Sequence, residues 1–170
     1  NNEESFGINP RAGSLVVPDG MGGAEYGAEA AEEVARAIVR APKNGFLRAK
    51  ESYNLAARIL EADGNMKERA KTKLANLSAN RLPGAAVGAV YIEENGILKP
   101  YHAGDVRVYV FDEQGDLRYI TRDHTAVQEA LEMGLIKNET DFKERNVILR
   151  AIGHLIKPQD LDSEIVEVSP

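Results

Sequence analysis

The 170-residue sequence has no cysteine, no tryptophan, only 3 histidines and only 6% aromatic residues. The lack of cysteine excludes disulfide bonds, thiol nucleophiles and cysteine-ligated zinc. His102, His124 and His154 are too far apart in sequence for a zinc-binding helix of the H-E-x-x-H type. Chemistry must therefore come from oxygen and nitrogen groups, and a hard cation held by carboxylates is the remaining metal option.

The sequence also lacks an excess of basic residues and any long apolar run. Lys and Arg total 21 against 27 Asp and Glu, for a formal net charge of −6, and the basic residues are scattered. This charge distribution argues against a nucleic-acid partner. No apolar stretch reaches the roughly 18 residues that cross a bilayer, and the N-terminus has no secretory signal pattern. We predict one soluble, cytoplasmic domain over residues 1–170, with no membrane or nucleic-acid partner.

The hydrophobic pattern predicts an α+β domain with antiparallel sheets. In chain order we predict a hairpin from 5–8 and 14–17, a helix over 24–40, helices over 45–62 and 66–80 separated by a break at 63–65, an antiparallel meander of strands at 85–92, 97–103, 106–111 and 117–120, short helices at 125–133 and 139–150, and a strand at 164–168. Asn95-Gly96 is typical of a tight hairpin turn. Because strands and helices come in groups rather than in β-α-β alternation, we expect helices to cover antiparallel sheets.

The most distinctive local feature is V-V-P-D-G-M-G-G at residues 16–23, an apolar strand that ends in Asp19 and leads through glycines into a helix. Glycine permits backbone geometries closed to other residues, so the Gly20 carbonyl can turn toward an ion that Asp19 holds. An ordinary Asp-Gly turn is an equally simple interpretation. A phosphate-binding loop is a third, although the segment lacks the Lys-Ser/Thr of a P-loop and the G-x-G-x-x-G spacing.

Other acids stand near predicted strand ends. Glu3 and Glu4 precede the first strand, where a hairpin would bring them beside Asp19, and Asp105 follows a glycine at the start of a strong strand. Acids near a terminus and aspartates in turns are also common without any ligand. Converging carboxylates can hold two divalent ions about 3.5–4 Å apart, and a water made acidic by both ions can attack phosphorus directly. No protein nucleophile is then needed.

Five segments, in this order, resemble the type 2C (PPM) protein phosphatases of the bacterial kind. They are N-E-E-S-F-G-I, V-V-P-D-G-M-G-G, A-G-D-V-R-V-Y-V-F, L-R-Y-I-T-R-D-H-T-A-V-Q-E-A-L-E-M-G-L-I and R-N-V-I-L-R-A-I-G. The resemblance spans nearly the whole chain. It implies a four-layer α-β-β-α sandwich, two or three Mn²⁺ or Mg²⁺ ions, and hydrolysis of phosphoserine and phosphothreonine in proteins by metal-activated water. Its partners would be phosphorylated proteins, the targets of a serine/threonine kinase.

The resemblance also implies residue roles. Glu3 matches the N-terminal metal-linked acid and Asp19 the ion-bridging carboxylate, which is catalytic through the metal-bound water. Gly20 matches the residue that binds metal through its carbonyl, and Asp105 the acid that attends a third metal. Arg-Asp-His at 122–124 matches a motif that we interpret as structural, tying the strand before it to the following helix.

The chain departs from the family pattern at several points. Glu4 stands where the family has Asp, Pro18 replaces a small or apolar residue, and Val106 replaces a hydroxyl residue. The family's phosphate-binding Arg would fall before residue 1, and its S-D-G and D-N aspartates would follow Pro170. We therefore expect a phosphatase-like domain that lacks its C-terminal portion, and weak or no activity from the 170 residues alone.

Two other functions fit parts of the pattern. The departures at Glu4, Pro18 and Val106 fit a non-catalytic phosphatase-like module that regulates or binds a phosphoprotein. The glycines at 20–23 would fit a nucleotide-binding α/β protein, which predicts a parallel sheet. The Asn-Gly hairpin and the antiparallel meander argue against that second alternative.

Overall fold

The computed structural model describes residues 3–22, 24–40, 55–73, 83–93, 95–154, 157–163 and 166–167. Within these ranges the chain forms eight β-strands and three α-helices. In chain order they are β1 (Gly7–Asn9), β2 (Ser14–Met21), α1 (Ala24–Val39), α2 (Leu55–Lys73), β3 (Gly84–Ile92), β4 (Ile97–Ala103), β5 (Tyr109–Phe111), β6 (Leu117–Ile120), α3 (Ala126–Glu132), β7 (Asp162–Ser163) and β8 (Val166–Glu167).

The larger sheet has the strand order β1-β2-β3-β4-β7, and β8 also pairs with β4. All of its pairings are antiparallel. β3 is its central strand, and seven consecutive residues from Pro83 to Ala89 are buried. Such a strand is covered on both faces, as in the middle layers of a sandwich.

Helices α1 and α2 cover one face of this sheet. The apolar residues of α1 recur at helical spacing and turn inward, and α2 packs behind them. The fully buried side chains at this contact include Val16 of β2, Val34 and Ile38 of α1, and Ile59 and Met66 of α2. Together they form the main hydrophobic core, which fixes α1 against β2.

Side chains of β2 alternate between the two faces of the sheet. Val16, Pro18 and Gly20 are buried on the helix side, whereas Val17 and Asp19 belong to the opposite face. A strand reverses its side-chain direction at every residue. The fold therefore places the Asp19 carboxylate on the face of the large sheet that is turned away from α1.

A segment leading to a second, two-stranded sheet covers part of that opposite face. β5 and β6 pair with each other and not with the larger sheet. A Cβ placed on Gly88 of β3 would lie 3.1 Å from both Val106 and Val108, just before β5. The predicted α+β class with antiparallel sheets is confirmed. The nucleotide-binding alternative would require parallel strands, and no strand pair in the described ranges is parallel.

Two helix predictions were wrong. The predicted break at 63–65 lies inside the continuous helix α2. The Asp63 carboxylate accepts a 2.7 Å hydrogen bond from the Gly153 amide and pairs with Lys67, so it serves as an anchor rather than a helix stop. A Cβ placed on Gly64 would meet no atom within 4 Å, so this glycine lies on the exposed side of α2, where the helix tolerates it. Residues 45–54 and 74–80, where helices were also predicted, lie outside the described residues.

The second error concerns 139–150, which forms only a 3₁₀ turn at Glu139–Asp141 and then irregular backbone. The Arg145 guanidinium donates to two nearby backbone carbonyls. Farther along, Ile148 and Ile152 form isolated β-bridges with other parts of the chain. Tertiary pairing therefore uses backbone groups that a helix would have needed.

The strand predictions hold better. The N-terminal hairpin and the β3-β4 hairpin are confirmed, with Gly96 in the turn at a φ of +84°. The meander is wrong after β4, because β5 begins at Tyr109 and joins the separate sheet. Of the strand predicted at 164–168, residues 166–167 pair with β4, and the remainder lies outside the described residues. No helix in the described ranges is long and apolar enough to cross a bilayer.

Candidate metal centre

The N-terminal segment runs beside the end of β2. Backbone hydrogen bonds of 2.9 and 3.0 Å join residues 3–5 to residues 18–20. In the middle of this pairing Glu4 faces Asp19 as an isolated antiparallel bridge. Residues directly opposite each other in an antiparallel pair project to the same side of the sheet. Glu4 and Asp19 therefore share the face away from α1.

The Glu3 carboxylate and the Gly20 carbonyl meet at Gly27, in the first turn of α1. A Cβ placed on Gly27 would lie 2.5 Å from Glu3 Oε2 and 3.1 Å from the Gly20 oxygen. A Cβ placed on Gly20 would in turn overlap the Gly27 carbonyl oxygen. The strand and the helix thus touch through backbone atoms, as only glycine allows. Gly27 leaves the space in which the two oxygens sit.

Asp105 reaches the same edge of the sheet through a tight turn after β4. Gly104 has a φ of +104°, a conformation that strains any residue with a side chain. A Cβ on Gly104 would also overlap that of Ala86, and Ala86 is the register partner of Asp19. The turn that carries Asp105 therefore lies directly against the strand pair that carries Asp19.

Burial and neighbouring acids raise the pKa of Asp19. Burial is the largest cause, followed by the charges of Asp105, Glu4 and Glu3. The pKa of Asp105 is also raised, chiefly by burial. No cationic side chain of the described residues appears among the causes of the Asp19 shift. The charge of Arg107 opposes the shift in the pKa of Asp105. Grouped carboxylates with a nearby carbonyl are the oxygen donors that hard divalent cations prefer, so these residues fit Mn²⁺ or Mg²⁺.

The residues predicted from sequence therefore come together. Glu3, Asp19 and Gly20 lie within one backbone pairing, and the charge of Asp105 acts on Asp19. Their role as metal ligands remains a prediction. Sequence reasoning missed Gly27, although a glycine inside a predicted helix costs about 1 kcal/mol relative to alanine and so signals a packing constraint.

The Arg-Asp-His segment at 122–124 makes contacts that hold neighbouring elements. The Asp123 carboxylate accepts two 2.7 Å hydrogen bonds from the Arg107 guanidinium. Arg122 pairs with Glu132 at the end of α3. Because Arg107 follows Asp105 by two residues, the ion pair between Arg107 and Asp123 fixes the segment that follows Asp105.

A second group of metal-ligand residue types lies nearby, in His102, His124 and Asp162, whose candidate ligand atoms are all within 4.8 Å of one another. The Gly104 amide donates to His124 Nδ1 at 3.2 Å, and His124 Nε2 lies 2.9 Å from Asp162 Oδ2. The Arg150 guanidinium, which can only donate, lies 3.2 Å from Nε2 and 3.0 Å from Asp162 Oδ1. Because the Gly104 amide needs a lone pair on Nδ1, we assign the ring proton to Nε2, where Asp162 accepts it, and Arg150 then donates to Asp162 and not to the ring. In this tautomer neither nitrogen of His124 has a lone pair left for a metal ion.

His102 is the most isolated polar side chain of this region. It is 1% exposed, and neither ring nitrogen has a hydrogen-bond partner. Its ring centroid lies 4.6 Å from that of His124. Burial, and next the charge of His124, lower the pKa of His102 from 6.5 to about 4, against the opposing effect of Asp162. His102 is therefore a neutral ring packed against His124.

This fold, with two helices on an antiparallel sheet, is similar to that of bacterial serine/threonine phosphatases of known structure. The chain is 27% identical to PppA, a regulatory component of the type VI secretion system in Pseudomonas aeruginosa, with a TM-score of 0.74 over all of this chain and 66% of PppA. It is 28% identical to the catalytic domain of the phosphatase PstP, solved in complex with 2 manganese ions, with a TM-score of 0.72 over 99% of this chain and 67% of that one.

Sequence comparison gives the same result. The serine/threonine phosphatase stp of Listeria welshimeri is 29% identical over an alignment of 144 residues that covers 82% of this chain and 55% of the relative. The chain thus spans about half the length of that curated relative. No family model matches the chain. The resemblance inferred from the sequence motifs is confirmed by these relatives.

Proposed function

We propose that the full-length protein is a metal-dependent phosphatase that removes phosphate from phosphoserine and phosphothreonine in proteins. The observation that carries this proposal is the grouping of Glu3, Asp19 and Asp105 near the Gly20 carbonyl, where the charges of Glu3 and Asp105 both raise the pKa of Asp19. The relatives are named as phosphatases, and one was solved with manganese. Both facts support Mn²⁺ or Mg²⁺, in two or three sites, as the cofactor.

Each residue has a distinct part in this proposal. Asp19, opposite Glu4 and beside the Asp105 turn, would be the carboxylate that holds the ions together with these acids. Glu3 and the Gly20 carbonyl approach from the α1 side, where Gly27 leaves room. Bound divalent cations would supply Lewis-acid activation of water and neutralise charge on the phosphoryl group. The protein's own contribution is to hold these oxygens in fixed positions before the ions arrive.

The substrates and the location follow from the same proposal. The substrates are proteins that a serine/threonine kinase has phosphorylated, and hydrolysis takes place in the cytoplasm. A non-catalytic module is the alternative, supported by Glu4 and Pro18. Pro18 lacks a backbone donor, but its carbonyl still accepts the Ser5 amide at 3.0 Å, so the pairing beside Asp19 tolerates it.

The test is hydrolysis of a phosphoserine peptide by the full-length protein as Mn²⁺ is titrated. The variant is Asp19→Asn, and the matched control is Glu113→Gln, an exposed acid in the β5-β6 turn. We expect Asp19→Asn to reduce the rate by more than about 100-fold, because even outer-sphere changes around metals cost 10–100-fold. The control should match the wild type. Full activity in Asp19→Asn would refute the site, and phosphopeptide binding without hydrolysis by the wild type would favour the module.

A further inference from the structure

The turn before Asp105 is held from two sides by one residue, His124. The His124 amide donates to the Gly104 carbonyl at 2.7 Å, and the Gly104 amide donates to His124 Nδ1 at 3.2 Å. Both polar backbone groups of Gly104 are thereby satisfied by a single partner. Because Gly104 is adjacent to Asp105 and has a φ of +104°, these two bonds fix the direction in which the chain enters Asp105.

The His124 ring is itself held in place on its other edge. Its Nε2 proton is directed at Asp162 Oδ2, 2.9 Å away, and the Arg150 guanidinium contacts the second oxygen of Asp162 at 3.0 Å. The buried His102 ring lies against its face. The carbonyl of His124 also accepts the Leu149 amide at 2.8 Å. The ring therefore has one orientation; the Gly104 amide requires the lone pair on Nδ1, and Asp162 accepts the remaining ring proton.

We infer that His124 is a positioning residue for the metal centre, which acts through Gly104 to aim the Asp105 carboxylate toward Asp19. This inference rests on the proposed function, since it needs Asp105 to be a metal ligand. Residues that orient a metal ligand through hydrogen bonds, without contacting the metal themselves, commonly change metal affinity by about 10–100-fold when they are substituted. Here the oriented unit is a backbone turn, and the functional end of His124 is Nδ1 rather than the nitrogen that faces Asp162.

Two substitutions separate the ends of the ring. Asn places its side-chain oxygen two bonds beyond Cβ, as His places Nδ1, so His124→Asn keeps an acceptor for the Gly104 amide and loses the contact with Asp162. Gln is one atom longer, so His124→Gln can still donate to Asp162 but has no acceptor at the Nδ1 position. Each variant loses one hydrogen bond of the ring: His124→Asn loses the part-buried one to Asp162, and His124→Gln loses the buried one from the Gly104 amide.

The experiment measures Mn²⁺ affinity by calorimetric titration, and turnover of a phosphoserine peptide, in the full-length protein well below the unfolding temperature of each variant. We expect His124→Gln to weaken Mn²⁺ binding by about 10-fold or more. His124→Asn should stay near the wild type. Asp105→Asn serves as the reference for complete loss of that carboxylate, and a purely structural His124 would give equal metal affinities in the Asn and Gln variants.

The outcomes distinguish the two proposals. If Asp105→Asn binds Mn²⁺ and turns over substrate like the wild type, the assignment of Asp105 under the proposed function fails. If Asp105→Asn is impaired but the two His124 variants bind Mn²⁺ equally, the positioning role is overturned. Should the His124 variants not fold, Asp162→Asn leaves both Gly104 bonds in place and should keep wild-type affinity. A 10-fold loss there would also overturn the inference.

Discussion

The buried ring of His102 should make the protein less stable as the pH falls below neutrality. In the folded chain the pKa of His102 is lowered from 6.5 to about 4 by burial and by the charge of His124. Between these two values the unfolded chain takes up a proton that the folded chain excludes. The free energy of unfolding therefore decreases as the pH falls from 6.5 to 4, and His102 contributes no pH dependence above that window.

The magnitude follows from the shift. One pKa unit corresponds to 1.36 kcal/mol, so the complete effect is about 3 kcal/mol, of which about 2 kcal/mol has been lost at pH 5. His102→Phe keeps a planar buried ring that cannot be protonated. Neither ring nitrogen of His102 has a hydrogen-bond partner of good geometry, and the Gly104 backbone is the smallest of the influences on its pKa, so the substitution removes little hydrogen bonding.

The assay is urea unfolding of the full-length, metal-free protein from pH 8 to pH 5. Folding also lowers the pKa of His124, chiefly through burial, so the quantity of interest is the difference between variant and wild type at each pH. We expect that difference to shift in favour of His102→Phe by about 2 kcal/mol from pH 8 to pH 5, or about 1 M in the urea midpoint. Unfolding free energies that run parallel over this range would refute the reasoning.

Two further predictions concern the sheet edge. Gly27→Ala should leave stability nearly unchanged, because the gain in helix propensity of about 1 kcal/mol offsets the crowding. It should nevertheless weaken Mn²⁺ binding, because the new methyl group displaces the Glu3 carboxylate. In Gly20→Ala the new methyl group would instead overlap the backbone of Gly27, so this variant should melt several degrees lower. Asp19→Asn should raise the melting temperature of the metal-free protein, because it removes the charge that burial, Asp105 and the two glutamates disfavour. In saturating Mn²⁺ the same variant should melt at a lower temperature than the wild type. Thermal unfolding with and without the ion checks both signs.

The sequence was sufficient for the parts of the fold that depend on local pattern. Alternation and the Asn-Gly turn predicted the β3-β4 hairpin, and apolar spacing predicted α1 to within one residue of its end. The failures came where distant contacts decide. Asp63-Gly64-Asn65 reads locally as a helix break, but Asp63 is bound to Gly153, 90 residues away. No property of the local segment records that partner.

The candidate site was predicted to a similar degree. Glu3, Asp19 and Asp105 could be grouped because the pattern predicted each of them near a strand end, and the hairpin predicted that Glu3 approaches Asp19. The strand ends themselves were misplaced, since β2 continues past Asp19 to Met21 and Asp105 lies in the turn after β4. The supporting residues were less visible. Gly27 serves the site by having no side chain, and His124 serves it through hydrogen bonds to the backbone of Gly104. Such roles depend on distances between elements, which the sequence does not contain.

If the acids around Asp19 hold metal as proposed, their mutual repulsion would tie the lifetime of the protein to its ion supply. Metal-free molecules would carry an electrostatic penalty at this end of the sheet, and a bound cation would remove it. Occupancy therefore adds a stabilisation of RT ln(1 + [L]/Kd), about 2.7 kcal/mol when the free ion exceeds its dissociation constant 100-fold. Under manganese starvation a cell would lose these molecules to proteolysis as well as losing their turnover, so abundance itself would report metal status.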